Sequence, residues 1–167
     1  VCRNNISLNN SGATTSGSTS ATVNYSATSL SSITVPQRKY TVSGFTRGTG
    51  ATSPDATISS QSTLTNTATF NGWYTASSGG TKIASNAATP ALQANTTYTN
   101  GSSQWTYTTA SAVTLYSQFT DNSVTLHTIS KTGFTCKWNT ASNGSGTNYN
   151  SGATITPTSN LTLYGYC

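Results

Sequence analysis

Two aspartates and one histidine are the residues of this sequence best suited to acid–base chemistry. Glutamate is absent, and Asp55 and Asp121 carry the only side-chain carboxylates among the 167 residues. A glycosidase needs two carboxylates in one site, and a hydrolytic triad would have to combine Asp121 and His127 with a serine or with Cys136. Asp121 and His127 lie in strand and turn sequence without a nucleophile elbow. We therefore expect no catalytic residues and no enzyme activity.

Metal and crosslinking chemistry find equally little support. One histidine, two aspartates and three widely separated cysteines give no metal-ligand spacing, so we expect no metal and no cofactor. Lys82 or Lys131 could condense with an Asn or Asp side chain if Asp55 or Asp121 assisted the reaction. Solvated lysines are the simpler interpretation.

Aromatic side chains offer a possible glycan contact, because they can stack on sugar rings. The candidates are Trp105, Tyr107 and Tyr74, and Trp105 should be the most exposed because it lies outside the repeated motif described below. Trp73 and Trp138 belong to that motif and stand beside Gly-rich turns, where large aromatics more often pack than bind. A carbohydrate-binding module is therefore the alternative function.

The composition predicts a folded, β-rich chain. Charged residues make up 5% of it and the net charge is +5, while Ser and Thr are more than a third of all residues, far above their usual share. The seven basic residues are scattered, which argues against nucleic-acid binding. No apolar run is long enough for a membrane helix, so we expect no membrane insertion in this segment.

Strand-type alternation recurs along the whole chain and includes an internal repeat. Trp73-x-Thr75-Ala76-Ser77 returns as Trp138-x-Thr140-Ala141-Ser142, each followed by a Gly-rich turn. The later strand of residues 113–119 likewise aligns with residues 161–167. A repeated unit thus has an aromatic opening strand and a Thr-Leu-Tyr closing strand.

These motifs resemble the Listeria-Bacteroides repeat, or internalin B-type repeat, whose members read Gly-Tyr-Thr-Phe-x-Gly-Trp-Tyr-Thr and close with Thr-Leu-Tyr-Ala-x-Trp. The opening motif is found at residues 40–45 (YTVSGF), 68–75 (ATFNGWYT) and, shortened, 133–140 (GFTCKWNT). Residues 6–26 resemble the first hairpin of the family, whereas the last unit lacks one. The resemblance implies a β-grasp-like module of a bacterial surface protein and brings no catalytic residues.

We therefore predict a mainly β protein with two or three small β-grasp-like or β-sandwich-like repeat modules in tandem. The modules are an N-terminal β module at 1–62, a repeat module at 63–121 and a shortened C-terminal repeat module at 122–167. In each closing strand the leucine, Leu115 or Leu163, should point into the core, and the adjacent Tyr116 or Tyr164 should lie on the other face.

The cysteines predict one disulfide, between Cys136 and Cys167. Cys136 takes the place of Phe70 and Val42 in the other opening strands, and Cys167 takes the place of Phe119 in the other closing strand, so two core positions of one unit have changed together. Cys2 could join another chain or form a local crosslink. A disulfide favours an oxidising setting, so we expect a secreted or cell-surface protein.

The sequence also favours self-association. Soluble β proteins commonly protect their sheet edges with charges or proline, and this chain has nine charged residues and four prolines. We expect a structural or adhesive surface protein that associates with itself or with other surface proteins, and a strand-paired fibre or filament is one form this could take. Glycans remain possible partners.

Overall fold

The structure, a computed structural model, is mainly β. It describes residues 2–49, 56–94 and 97–167, and these ranges contain strands and turns but no helix. The mainly β prediction is therefore confirmed. Among the described residues there is accordingly no helix with the length and apolarity needed to cross a membrane. The strands are β1 (Arg3–Asn9), β2 (Ser20–Asn24), β3 (Lys39–Arg47), β4 (Thr57–Ile58), β5 (Leu64–Thr67), β6 (Thr69–Tyr74), β7 (Lys82–Ala84), β8 (Val113–Thr120), β9 (Val124–Thr125), β10 (Ile129–Ser130), β11 (Lys137–Asn139), β12 (Asn148–Asn150), β13 (Thr154–Ile155) and β14 (Leu161–Tyr166).

The chain forms two compact units, each built from two separate segments. Unit 1 contains Val1–Arg38 and Ala68–Thr120, and unit 2 contains Lys39–Thr67 and Asp121–Cys167. Each unit therefore combines one early and one late piece of the chain. This division differs from the three consecutive modules expected from the repeats, because strand pairing joins segments that are distant in sequence.

Unit 1 has a five-stranded sheet in the order β2-β1-β8-β6-β7. β1 and β2 form an antiparallel hairpin, and β1 also pairs in parallel with the closing strand β8. On its other side β8 pairs antiparallel with the opening strand β6, which pairs with β7. The closing strand β8 thus lies in the middle of the sheet.

Unit 2 repeats this arrangement with different strands. Its five-stranded sheet has the order β12-β11-β14-β3-β5. β3 and β5 are antiparallel, β3 pairs in parallel with the closing strand β14, and β14 pairs antiparallel with β11. The short pairs β4–β10 and β9–β13 complete unit 2. Both units therefore follow one design.

Residues 40–45, expected to be an opening strand, lie in β3 and belong to the first hairpin of unit 2. The last unit therefore does have a first pair of antiparallel strands, supplied by β3 and β5. The two kinds of strand look alike because each has an irregularity next to a glycine that precedes a buried aromatic, Gly44-Phe45 in β3 and Gly72-Trp73 in β6. A Cβ on Gly44 would lie 2.8 Å from the Leu163 carbonyl oxygen, and the φ of +85° favours glycine.

The segment that contains β3 and β5 leaves and re-enters unit 1 at two residues that are hydrogen-bonded to each other. The backbone N–H of Ala68 donates to the carbonyl of Arg38 at 2.9 Å, although 29 residues separate the two in the chain. In unit 2, the side-chain amide of Asn122 donates to the carbonyl of Thr67 at 2.8 Å. Both segment junctions are therefore short in space, a geometry that tolerates insertions.

Each unit has its own hydrophobic core beneath its sheet. In unit 1, Leu115 packs with strand residues and with side chains outside the sheet such as Leu30 and Leu92. In unit 2, Leu163 packs with Phe45 and Trp138. Leu115 and Leu163 are fully buried, whereas Tyr116 and Tyr164 are partly exposed. The predicted orientation of both closing strands is confirmed.

Candidate functional site

His127 takes part in the packing of unit 2. Its Nε2–H donates to the carbonyl of Ser62 at 2.7 Å, and its ring meets Phe45 edge to face at a centroid distance of 4.5 Å. The carbonyl of His127 accepts a hydrogen bond of 2.8 Å from Trp138 Nε1. These contacts join β9–β10, β11 and the segment before β5 around the core.

The other candidates for reaction chemistry are dispersed. Asp55 lies outside the described residues, so a pair with Asp121 has no geometry to examine. Lys131 places its Nζ 4.6 Å from the centre of the Phe134 ring, and Lys82 begins β7. Across the described ranges, no group of three or more His, Cys, Asp or Glu side chains could hold a metal ion.

Cys136 and Cys167 are joined by a disulfide, the pair that the sequence indicated. Lys137 lies opposite Tyr166 in the β11–β14 pair, so the bridge fastens the end of the closing strand to the start of the opening strand. Cys136 is buried in the core of unit 2, and Cys167 packs against that core. Cys2 has a free thiol and is exposed.

Trp105 is fully buried, so the expectation that it is the most exposed candidate for glycan contact is wrong. Its Nε1–H donates to Asn4 Oδ1 at 2.9 Å and to the Tyr107 carbonyl at 2.8 Å. Its ring stacks on Tyr98 at a centroid distance of 5.3 Å. Trp105 therefore anchors the segment before β8 to β1.

The two tyrosines proposed as glycan contacts are partly exposed and do not lie in one described pocket. Tyr107 packs edge to face on Tyr98 at a centroid distance of 5.0 Å, which uses one of its surfaces within unit 1. Tyr74 lies opposite Tyr116 in the β6–β8 pair. Of the three candidates, only these two present aromatic surface to solvent.

The repeated turn after each opening strand has the same hydrogen bonds in both units. The hydroxyl of Thr75 accepts the N–H of Thr81 at 2.9 Å, and the hydroxyl of Thr140 accepts the N–H of Thr147 at 2.9 Å. These bonds explain why a threonine recurs two residues after each tryptophan: its hydroxyl accepts a backbone N–H of the turn. The repeated segment is a structural element.

Asn139 is a buried organising residue that the sequence did not reveal. Its Oδ1 accepts the N–H groups of Ala141 and Gly146, at 2.8 and 3.0 Å. Its Nδ2 donates to the carbonyls of Gly144 and Gly146, both at 3.1 Å, and to Asn148 Oδ1 at 2.8 Å. The fully buried side-chain amide of Asn139 thereby satisfies backbone N–H and carbonyl groups inside the turn that have no strand to pair with.

The outer strands of the two sheets are almost free of charge. They read SATVN in β2, KIA in β7, LTNT in β5 and NYN in β12. Lys82 is thus the one charged residue in these four strands. Because charge is a common protection against edge-to-edge pairing, these strands lack that protection against the addition of another strand.

These features define a mainly β, disulfide-bonded repeat protein. Residues 119–165 match the Listeria-Bacteroides repeat domain, so the family resemblance is confirmed for this segment, and the match suggests a bacterial surface-type protein. It spans β9–β13, with parts of β8 and β14, and does not include the hairpin that completes unit 2. Searches of curated proteins and of solved structures gave no match.

Proposed function

We propose that this chain is an extracellular structural or adhesive surface protein whose copies associate by strand pairing into a fibre or surface filament. Its partners are other copies of the chain or other surface proteins. The proposal assigns no catalytic residue and no cofactor. In this proposal the hydroxyl- and amide-rich surface has a structural role.

The observation that carries the proposal is the lack of charge along the sheet edges. Lys82 is the one charged residue within the four outer strands, so these strands themselves do little to repel an added strand. Strand addition gains backbone hydrogen bonds, and nothing but the weak net charge of +5 opposes it at long range. The edges therefore favour association between copies.

The surface location rests on two supports. The repeat at residues 119–165 belongs to a family typical of bacterial surface proteins, and the Cys136–Cys167 disulfide fits an oxidising compartment. Both concern unit 2.

Light scattering over a wide range of protein concentration, followed by electron microscopy, tests the proposal. We expect the mean mass to rise with concentration and elongated particles to appear. Raising the salt concentration should promote growth, because it screens the positive charge of the copies. A chain that stays monomeric at high concentration and in high salt would contradict self-association.

The alternative function is a carbohydrate-binding module. Trp105 is not available to a glycan in this case, because its side chain is buried. Tyr74 and Tyr107 are the remaining candidates. Saturable binding of a cell-wall glycan that is abolished by Tyr74→Ala or Tyr107→Ala would support the alternative. Tyr98→Phe is a suitable control because it keeps the ring that packs on Trp105.

A further inference from the structure

We propose that unit 2 carries both surfaces of a head-to-tail joint between copies: the open edge of β12 on one copy binds the open edge of β5 on the next. This inference rests on the proposed self-association and assigns it to two named strands. It follows from a comparison of the two units, which share one sheet design but treat their edges differently.

Unit 1 covers the edge at β2 with its own chain. Thr22, at the centre of β2, has both outward backbone groups bonded to Ser31: its N–H donates to Ser31 Oγ and its carbonyl accepts the Ser31 N–H, each at 2.9 Å. Just before β2, the N–H of Ser18 donates to the carbonyl of Thr34 at 2.9 Å. An incoming strand would have to displace these bonds.

The opposite edge of unit 1, at β7, is covered in the same way. The N–H of Gln93 donates to the carbonyl of Ile83, and the N–H of Ser85 donates to the carbonyl of Ala91, both at 2.9 Å. Leu92 forms a bridge with Ala84 between these bonds. Both edges of unit 1 are therefore closed by local segments.

In unit 2, β12 presents an open edge. The N–H of Thr140 donates to the carbonyl of Thr147, and the N–H of Ser151 donates to the carbonyl of Cys136. The backbone groups of every second residue of β12 therefore point toward β11, and within β12 that residue is Tyr149. The backbone of Asn148 and the N–H of Asn150 then point away from the sheet. Among the described residues, the carbonyl of Asn150 bonds to the N–H of Ala153, and no other bond covers this side.

The opposite edge, at β5, is also open. The Ala68–Arg38 bond and the register of β3 with β5 place Leu64 and Asn66 toward β3, so both backbone groups of Thr65 point outward. The neighbouring carbonyl of Thr67 accepts the side-chain amide of Asn122. Within the described part of the chain, Thr65 therefore offers an unused donor and an unused acceptor.

A second copy of the chain is the occupant that these edges fit best. β12 and β5 form the two ends of one sheet order, so a copy bound at one end leaves the other end available for a further copy, and the joint can repeat. Neither strand carries a charge, and the nearest lysines, Lys39 opposite Thr67 and Lys137 opposite Asn150, lie one strand back from the two edges that meet. Both strands are short, so each joint gains few hydrogen bonds and is weak, and assembly requires a high local concentration of the chain.

Proline substitutions test the joint, because proline removes an outward N–H without affecting bonds to the neighbouring strand. Thr65→Pro blocks β5 and Asn150→Pro blocks β12. Ser20→Pro is the matched control, since Ser20 faces outward on the covered edge of β2. Thermal melts verify folding, and Thr65→Lys, which keeps the N–H but adds a charge, serves if the proline variant does not fold.

We expect Thr65→Pro and Asn150→Pro each to raise the concentration needed for assembly by about tenfold or more, while Ser20→Pro behaves like the wild type. A mixture of the two blocked variants should form a one-to-one dimer, measured by sedimentation velocity, because each retains the edge that the other lacks. If the wild type assembles and the blocked variants assemble equally well, the edge assignment is wrong and self-association stands. A wild type that stays monomeric overturns both.

Discussion

Phe70 and Phe119 lie directly opposite each other in β6 and β8, with their ring centroids 5.3 Å apart. The register of β11 with β14 places Cys136 and Cys167 in the equivalent position of unit 2. One unit therefore closes its sheet with an aromatic pair, and the other closes the same pair of strands with a covalent bond.

The disulfide should be a main source of stability for unit 2. It spans 31 positions of the chain, for which the chain-entropy model gives about 3–4 kcal/mol. We expect Cys136→Ala/Cys167→Ala to lower the free energy of unfolding by this amount. Hydrogen exchange should show the loss in β14 and little change in β8. A peptide map linking Cys2 to either cysteine would contradict the pairing.

The double variant Cys136→Phe/Cys167→Phe provides the matched comparison. It introduces the aromatic pair of unit 1 at the same register, and such pairs contribute about 1 kcal/mol beyond burial. We expect it to be more stable than the double alanine variant, as measured by urea denaturation. Equal stability of the two variants would show that the positions are not structurally equivalent.

The two repeated tryptophans should respond differently to one substitution. Both are fully buried, but Trp138 Nε1 donates to the His127 carbonyl at 2.8 Å, whereas Trp73 Nε1 has no acceptor among the described residues. Trp138→Phe should therefore cost about 1 kcal/mol more than Trp73→Phe, because it removes one hydrogen bond from the His127 carbonyl, which then keeps only the N–H of Gly152 at 3.2 Å. Denaturation of both variants measures the difference, and a larger cost for Trp73→Phe would contradict it.

Asn139 should tolerate neither alanine nor aspartate. Asn139→Ala leaves two N–H groups and two carbonyls of the turn without their partner, and we expect a loss of about 2–4 kcal/mol. Asn139→Asp places a carboxylate in a fully buried site against the carbonyls of Gly144 and Gly146, and burial and these carbonyls raise the pKa of that carboxyl against the opposing effect of the Ala141 and Gly146 N–H groups. Its stability should be highest at acid pH, where the protonated group can donate, and should fall as the pH rises through the raised pKa. Asn143→Asp, in the exposed part of the turn, is the control.

The units should fold from rearranged pieces of the chain and not from consecutive ones. Because Thr67 and Asn122 are hydrogen-bonded, a short linker from residue 67 to residue 121 should give a folded unit 2. Unit 1 should fold when residue 38 is joined to residue 68. Residues 122–167 alone lack β3 and should remain unfolded, as judged by the dispersion of amide NMR signals. A folded 122–167 fragment would contradict the assigned topology.

Short-range features of the fold could be predicted from the sequence. Alternation placed Leu115 and Leu163 inside, and the alignment of two strand pairs indicated the partner of Cys136. The origin of the first hairpin of unit 2 could not be predicted, because β3 resembles an opening strand in its Gly-aromatic bulge. Its pairing with β14 joins positions 119 residues apart, as between Val42 and Leu161. The alternation of residues within one strand does not indicate which distant strand it pairs with.

The candidate site was less predictable for a similar reason. Trp105 lies outside the repeated motif, but its burial depends on Asn4, which is 101 positions away. The role of Asn139 was hidden because asparagine is common throughout the chain. Distant hydrogen-bond partners, rather than the residue types, determine what these side chains do.

The inserted hairpin sets an order of events during synthesis. Unit 1 can complete its sheet once β8 has been made, but β3 must wait for β14, since Thr41 bonds to Asn160 across 119 positions. At the usual speed of a ribosome this interval lasts roughly 6–24 s. Once β8 has been made, the nascent chain carries a finished unit 1 and a β3–β5 pair that still lacks the rest of its sheet, so protection by a chaperone, or slow passage through a translocation channel before folding, would favour the correct product.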